Sequence, residues 1–383
     1  MYHVFFSFYD MRLLMISGDR SLQHGRKGAF HGLLEEFRTH WDRIDVICPH
    51  DVLSDLSPDA KSFSPMDKVF VHPGKASVFR QPSFIVHKGR ELIAQHHHDV
   101  MTVHDFPPFY NGRGAKKLSR ITGVPANLEI HHLVGYPRPA SWREAIGRWM
   151  TERMIGRHSQ SFASVRTVNS DVSDALVRFG VDRKKISVVP SVYLDHTLYA
   201  GLQSVEKTYD LVFCGRLVEN KGLFPVLHAM RELQDRTLLV IGDGPEHASA
   251  TEYVLAHGLE HRVRFVGWLP GAGDVMRSIA SGKIFVMNSA SEGNPRVAVE
   301  AMAAGLPVLA TRVGIMPDIL KNGVNGMFTN GSPKDIAEKA KQLLCNEKTI
   351  VAMGNEAKKV METFEKTKAI KAYAEFLKRV RSM

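Results

Sequence analysis

The chain has 383 residues, 44% hydrophobic and 23% charged, which is enough for two domains with separate cores and ordinary for a globular protein. A formal net charge of +10 and a pI near 9.4 call for an anionic partner, yet no RNP, zinc-finger or Arg-rich pattern points to nucleic acid. Three widely spaced cysteines, Cys48, Cys214 and Cys345, suit neither a disulfide framework nor a metal site, and no apolar run is long enough to span a membrane.

Met1 to Asp10 is apolar but lacks a basic n-region and a cleavage site, so it does not read as a secretory signal. It is either an overcalled translation start or an extra edge segment. Strands are predicted at 12–17, 44–47, 68–71, 100–103, 126–130, 164–168 and 186–189. Helices at 28–39, 83–96, 115–122, 142–158 and 170–179 alternate with them, as in a parallel sheet covered by helices. Residues 190–205 show no period and read as a linker. A second alternation starts at 210–215 and takes six strand–helix steps to about residue 345. Its helix 223–233 sets Leu223, Leu227, Met230 and Leu233 on one face, which is core packing. The expected fold class is α/β, with doubly wound Rossmann-like domains at 1–195 and 206–360 facing across a cleft.

Residues 291–308 are the most informative stretch. A buried strand at 283–287 leads into a loop carrying Glu292 and Asn294, then into a helix at 298–304 that ends at Gly305. Pro295 suits the first helical position, and the N–H groups of Arg296 and Val297 then point out of the helix N-terminus, where an anion is stabilised. Glu300 lies about one turn inside the helix. A diphosphate with a sugar at each end fits the stretch, with one carboxylate for the hydroxyls on either side. Without its context the pair would be an ordinary loop acid and a solvated helix acid. Arg216 and Lys221 follow the first strand of the second domain and enter a helix, a place unfavourable to cations unless an anion is present. No Asp-x-Asp occurs, so no metal is expected, and the two side chains would neutralise a diphosphate leaving group instead.

The Glu292-x7-Glu300 spacing resembles the signature of family 4 of the retaining GT-B glycosyltransferases. So do Cys214-Gly215-Arg216-Leu217-Val218-Glu219-Asn220-Lys221-Gly222, Leu239-Val240-Ile241-Gly242-Asp243-Gly244-Pro245-Glu246 and Val263-Arg264-Phe265-Val266-Gly267, in the family's order. The resemblance is strong over 167–329 and moderate over 11–109. It implies transfer of a hexose-type sugar, with retention, from a UDP- or GDP-linked donor to a saccharide or lipid-linked acceptor hydroxyl, in cell-surface polysaccharide or glycolipid synthesis. No further cofactor is implied. Arg216 and Lys221 would hold the diphosphate, Glu292 the sugar hydroxyls and Glu300 the ribose. Gly242, Trp268 and Leu269 would lie at the nucleotide, although Gly242-Asp243-Gly244-Pro245 is equally a tight strand-to-helix turn. His131, after strand 126–130, would reach the donor sugar, unless it is a cleft-edge histidine bonded locally. Gly25, in the basic loop 18–28, would approach the donor phosphates or the acceptor. The last helix, within 363–383, would cross back onto the first domain.

Other features are less specific. His96-His97-His98 looks like a metal tract, but no partner ligands are placed near it. Trp142, Ile146, Trp149, Met150 and Met154 fall at helical spacing among Arg143, Arg148, Arg153 and Arg157. They suit either a peripheral contact with an anionic membrane or packing on the protein's own domain. The expected location is cytoplasmic, free or at the inner membrane face, with reduced thiols. A sugar-nucleotide epimerase of the same fold would share the donor site. A non-catalytic polyanion-binding protein would explain the charge but not the ordered Arg216, Lys221, Glu292 and Glu300.

Overall fold

Short runs that are apolar at every position can be buried on both faces only between two helix layers, and here they form parallel strands. The computed structural model describes residues 11–19, 29–49, 62–74 and 79–383. Gly25 and the leading ten residues lie outside the described residues.

The first sheet contains β1 (Arg12–Ile16), β2 (Arg43–Pro49), β3 (Phe63–Met66), β4 (Val69–Gly74), β5 (Val100–His104), β6 (Ala126–Ile130), β7 (Ser164–Thr167) and β8 (Ile186–Val188). Their order is β3-β4-β2-β1-β5-β6-β7-β8. All pairs are parallel except β3 with β4. The sequence patterns do not show β3, a four-residue edge strand that contains a proline. The second sheet contains β9 (Tyr209–Cys214), β10 (Leu238–Ile241), β11 (Val263–Gly267), β12 (Gly282–Met287), β13 (Val308–Ala310) and β14 (Gly326–Phe328). Its order is β11-β10-β9-β12-β13-β14, parallel throughout.

Both orders reverse once, between β1 and β5 and between β9 and β12. The crevice at the carboxyl ends of such strand pairs is where open α/β sheets bind ligands. In the first sheet that edge carries Asp19, after β1, and His104, the last residue of β5; in the second, the loops after β9 and β12 carry Arg216, Lys221 and Glu292.

Residues 190–205 hold two short 3-10 turns, His196–Tyr199 and Leu202–Ser204. The chain passes this point again near its end, where the Leu194 N–H donates to the Phe364 carbonyl at 2.7 Å. Helix Lys366–Val380 then inserts Ile370, Tyr373, Phe376, Leu377 and Val380 into the first sheet's core, beside Leu13, Phe37 and Trp41. The rings of Phe37 and Tyr373 stack with centroids 4.9 Å apart. Each large buried side chain of this kind contributes about 1.5–3 kcal/mol, so the terminal helix is firmly docked.

The histidine tract has a structural use. His98 Nε2 lies 2.8 Å from Asp45 of β2, which also takes His72 Nε2 at 2.7 Å and Arg43 at 2.6 and 3.0 Å. Burial pushes the Asp45 carboxyl up, but these partners outweigh it and hold it far below its usual range. Among the described residues, no helix is long and apolar enough to cross a membrane.

Candidate functional site

The loop after β9 and the loop after β12 are tied together by Asn220. Its Nδ2 donates to the Ser291 carbonyl at 3.0 Å, its Oδ1 accepts from the Ser291 N–H at 3.1 Å, and its own carbonyl accepts from Ala290 at 2.8 Å. That pinning brings Lys221 onto Glu292, and the two form an ion pair. The Ser289 hydroxyl donates to the same Glu292 carboxylate at 2.8 Å.

Helix Arg296–Ala303 starts immediately after Pro295, which is therefore its N-cap and not its first helical residue. The N–H groups of Ala298 and Val299 close onto the Pro295 carbonyl at 3.0 and 3.3 Å, while those of Arg296 and Val297 precede the helix's own bonds. A cavity of about 400 Å³ is lined by Arg216, Lys221, Glu292, Asn294, Arg296 and Val297. Three cations, one acid and a helix N-terminus make it a place for an anion that carries hydroxyls.

Glu300 is not the solvated helix acid that it would be without its context. It is 9% exposed, and its carboxylate accepts from Arg296 Nε at 2.7 Å. Burial raises its pKa, and Arg296 offsets that only in part. Its charge also helps raise the neighbouring groups: burial and then Glu300 push the Cys214 thiol up to about 12. Glu300 thus stands behind Arg296, and it is Arg296 that lines the cavity.

Gly242 has φ 126°, and a Cβ there would fall 2.0 Å from the Gly215 carbonyl oxygen. Only glycine lets the β10 loop approach the β9 loop this closely, so Gly242 shapes the backbone beneath Arg216 without lining the cavity. Trp268 is 77% exposed and Leu269 packs against the core, so neither joins this cavity.

A second cavity, about 550 Å³, shares Asn294 and Arg296 with the first. Its remaining wall belongs mostly to the first sheet and the terminal helix, including Gly18, His104, Glu129, His131, Arg166 and Tyr373. His131 Nε2 lies 2.7 Å from Glu129, and its ring centroid is 4.4 Å from that of His104. Burial, and then the neighbouring His131, lower His104 to about 4, so it is neutral at pH 7. His132, next in the chain, reaches Ser291 at 3.0 Å.

The two halves touch backbone to backbone at the junction. Asn169 Nδ2 donates to the Gly293 carbonyl at 2.6 Å, and a Cβ on Gly293 would fall 2.0 Å from the His131 carbonyl oxygen.

Glu129, Arg166, Tyr373, Asn169 and Asn220 escape a reading based on motifs. For two of them the signal exists: Glu129 and Arg166 are charged residues inside otherwise buried strands, and they face each other in register. Tyr373 carries no such signal.

Residues 198–360 match the family described as glycosyl transferases group 1. That match covers somewhat less than half of the chain. Among curated relatives, the N-acetyl-alpha-D-glucosaminyl L-malate synthase of Bacillus anthracis is 26% identical over 313 residues, covering 71% of this chain and 80% of that protein. The lipopolysaccharide core biosynthesis glycosyltransferase LpsD of Rhizobium meliloti is 34% identical over 113 residues, covering 30% and 32%. The chain thus spans only about a third of the latter's length. Among solved structures, Anabaena HepE in complex with UDP and glucose superposes with a TM-score of 0.72 at 18% identity, over 96% of this chain and 99% of that one. The chain shares with it the GT-B fold of two doubly wound sheets facing across a cleft.

Proposed function

We propose that the protein is a retaining glycosyltransferase that moves a hexose-type sugar from a UDP- or GDP-linked donor to an acceptor hydroxyl, in polysaccharide or glycolipid synthesis. The observation that carries this reading is the adjoining pair of cavities. One gathers Arg216, Lys221, Glu292 and a helix N-terminus, the other holds His131, and Asn294 and Arg296 stand between them. The family match, the transferase names of the relatives and the UDP and glucose named for HepE support it.

In this reading residues 206–360 hold the donor and residues 1–195, with the terminal helix, hold the acceptor. Arg216 and Lys221 take the diphosphate, assisted by the amides of Arg296 and Val297. Glu292 and Asn294 take the sugar hydroxyls, with His131 at the sugar. Glu300 takes the ribose once Arg296 has turned to the phosphates. Gly242, Trp268 and Leu269 line the approach of the base. The acceptor oxygen attacks the anomeric carbon on the face that the diphosphate leaves. The carbon–oxygen bond to phosphate breaks, the bond to the acceptor forms, and the acceptor's proton passes to the departing phosphate. Charge builds on the β-phosphate, where fixed cations lower the barrier and stand in for a metal.

The acceptor side also presents a lipid-facing candidate. On helix Trp142–Ser159 the buried residues are Thr151, Ile155 and Ser159, while Trp142, Ile146 and Trp149 are 68%, 50% and 57% exposed. Of the two readings of this helix, packing on its own domain suits Met154, which lies against the core, whereas the three exposed residues suit the other. We assign them to peripheral contact with an anionic membrane that carries the acceptor.

The test is a thermal-shift screen of the protein against UDP, GDP and ADP sugars, followed by transfer assays with the stabilising donor. A bound ligand raises apparent stability. Absence of any shift with every nucleotide sugar would overturn the reading.

A further inference from the structure

His131 does not stand alone at the second cavity. It rests on Glu129, a carboxylate buried at the end of β6 and saturated by four donors. Glu129 Oε2 accepts from Arg166 at 2.7 Å and faces His131 Nε2 at 2.7 Å. Glu129 Oε1 accepts from the Thr102 hydroxyl at 2.5 Å and from the Tyr373 hydroxyl. Arg166 is itself fixed: it donates to the carbonyls of Val189 and Pro190 at 3.0 and 3.1 Å, and its guanidinium lies 3.8 Å from the Tyr373 ring centroid. The group most distant in sequence, Tyr373, comes from the docked terminal helix, 244 residues away along the chain.

We propose that Glu129 is a positioning residue, which Tyr373 of the terminal helix and Arg166 hold in place so that it fixes His131 as its Nε2–H tautomer. The proposal rests on the glycosyl-transfer reading only for its consequence, not for its geometry. An ionised carboxylate accepts hydrogen bonds and never donates them, so the ring nitrogen that faces it must carry the hydrogen. Burial pushes Glu129 up, yet Arg166 and His131 outweigh it and hold the carboxyl well below its usual range, which keeps it an acceptor. Arg166 Nη1 also lies 3.3 Å from Nε2, but its closer contact is Glu129 at 2.7 Å; in the neutral ring Nδ1 is then the lone-pair nitrogen, and among the described residues no hydrogen bond to it is present. The charged and titratable groups around this ring are His104 from β5, Arg166 from β7, Asp19 after β1, Arg296 from the second half and Tyr373 from the terminal helix. Only Glu129 accepts from the ring among the described residues. The anchor of the histidine thus takes one of its four donors from the docked terminal helix.

The experiment uses the full-length protein, with ¹⁵N-histidine NMR to read the His131 tautomer and donor turnover to read the consequence. Read at a pH where the ring is neutral, wild type should show the Nε2–H tautomer alone. In Glu129→Gln the amide can donate as well as accept, so the Nδ1–H tautomer should appear. Turnover should fall about tenfold or more, as when a partner that orients a histidine is lost, with donor KM within about twofold. Tyr373→Phe should act in the same direction to a smaller extent, and it serves alone if Glu129→Gln does not fold. UDP affinity, set in the other half, controls for general damage. A tautomer that switches in a protein without sugar transfer would sink the transfer reading and leave the positioning role standing. An Nδ1–H tautomer in wild type, or unchanged tautomer and turnover in both variants, would overturn the proposal.

Discussion

Lys221 and Glu292 neutralise each other across the mouth of the first cavity, although each has a separate partner in the proposed complex. Their side chains are 29% and 13% exposed, and the Ser289 hydroxyl holds Glu292 on the same side. The ion pair and the Ser289 hydroxyl hold the two side chains close at the cavity. A nucleotide sugar then replaces one contact with two: the ammonium turns to the diphosphate and the carboxylate keeps the sugar hydroxyls. Arg216 lines the same cavity and has no side-chain hydrogen bond among the described residues. It is the cation available first.

From that arrangement, transfer should survive EDTA and should collapse in Arg216→Ala and in Lys221→Ala. A departing nucleoside diphosphate needs about two positive charges nearby. Losing one contact of this type typically costs on the order of 3 kcal/mol at the transition state, roughly a hundredfold in rate. Turnover measured with and without chelator in the three proteins decides the matter. Activity abolished by EDTA and restored by Mg²⁺ or Mn²⁺ would show that a metal supplies the charge.

Glu300 predicts a pH effect. Its folded pKa is raised by burial, against the partial opposition of Arg296. A raised carboxyl keeps its proton to higher pH in the native state. Any stability it confers is thus full below the ordinary glutamate value and is lost as pH rises through the folded value. Ribose hydroxyls require the ionised form, so UDP affinity should weaken on acidification sooner than an ordinary glutamate would allow. Calorimetry between about pH 4.5 and 7 should show this slope in wild type and lose it in Glu300→Gln. The nucleotide's own phosphate titrates equally with both proteins and cancels. Identical pH profiles would remove Glu300 from the ribose site.

Both sheets were legible in the sequence, because apolar runs alternating with amphipathic periods leave little choice but parallel strands under helices. The edge strand Phe63–Met66 was not, since its four residues pair on one side only and include a proline. In the site, the loop and helix order fixed where Arg216, Lys221, Glu292 and Arg296 meet. The burial of Glu300 was not legible, because a single acid on an alanine-rich helix gives no sign of which neighbours cover it. Tyr373 was beyond reach for a different reason. Its role depends on a contact with Glu129, 244 residues away along the chain, and no local pattern encodes that.

The exposed stripe of helix Trp142–Ser159 should bind anionic vesicles. Arg143 lies over the Trp142 ring at 5.4 Å and Arg153 over the Trp149 ring at 5.8 Å, so each aromatic group is accompanied by a cation. Such pairs set rings at headgroup depth and guanidinium groups against lipid phosphates. Sedimentation with phosphatidylglycerol vesicles should pellet the protein, and about 1 M salt, with a Debye length of roughly 3 Å, should release much of it. A Trp142→Ala, Trp149→Ala double variant should stay in the supernatant with its melting temperature unchanged, because both rings are exposed. Equal partitioning with neutral and anionic vesicles would favour an acceptor taken from solution.

Gly293→Ala should separate binding from transfer. The added methyl would meet the His131 carbonyl oxygen at 2.0 Å and its carbonyl carbon at 3.0 Å. Both are backbone atoms at the end of a buried strand, so neither can swing aside as a flexible side chain would. The loop carrying Glu292 must then draw back from the first half by about an ångström. That would strain the Asn169 bond to the Gly293 carbonyl, which fixes the loop at 2.6 Å. A misplacement of this size between reacting groups typically costs about a hundredfold in rate. The diphosphate contacts lie on the second half alone, so UDP affinity should change by no more than a few fold. Calorimetry with UDP and a transfer assay on the same preparation make the comparison. Transfer that keeps wild-type turnover would mean that the two halves need not meet at Gly293 and His131 for reaction.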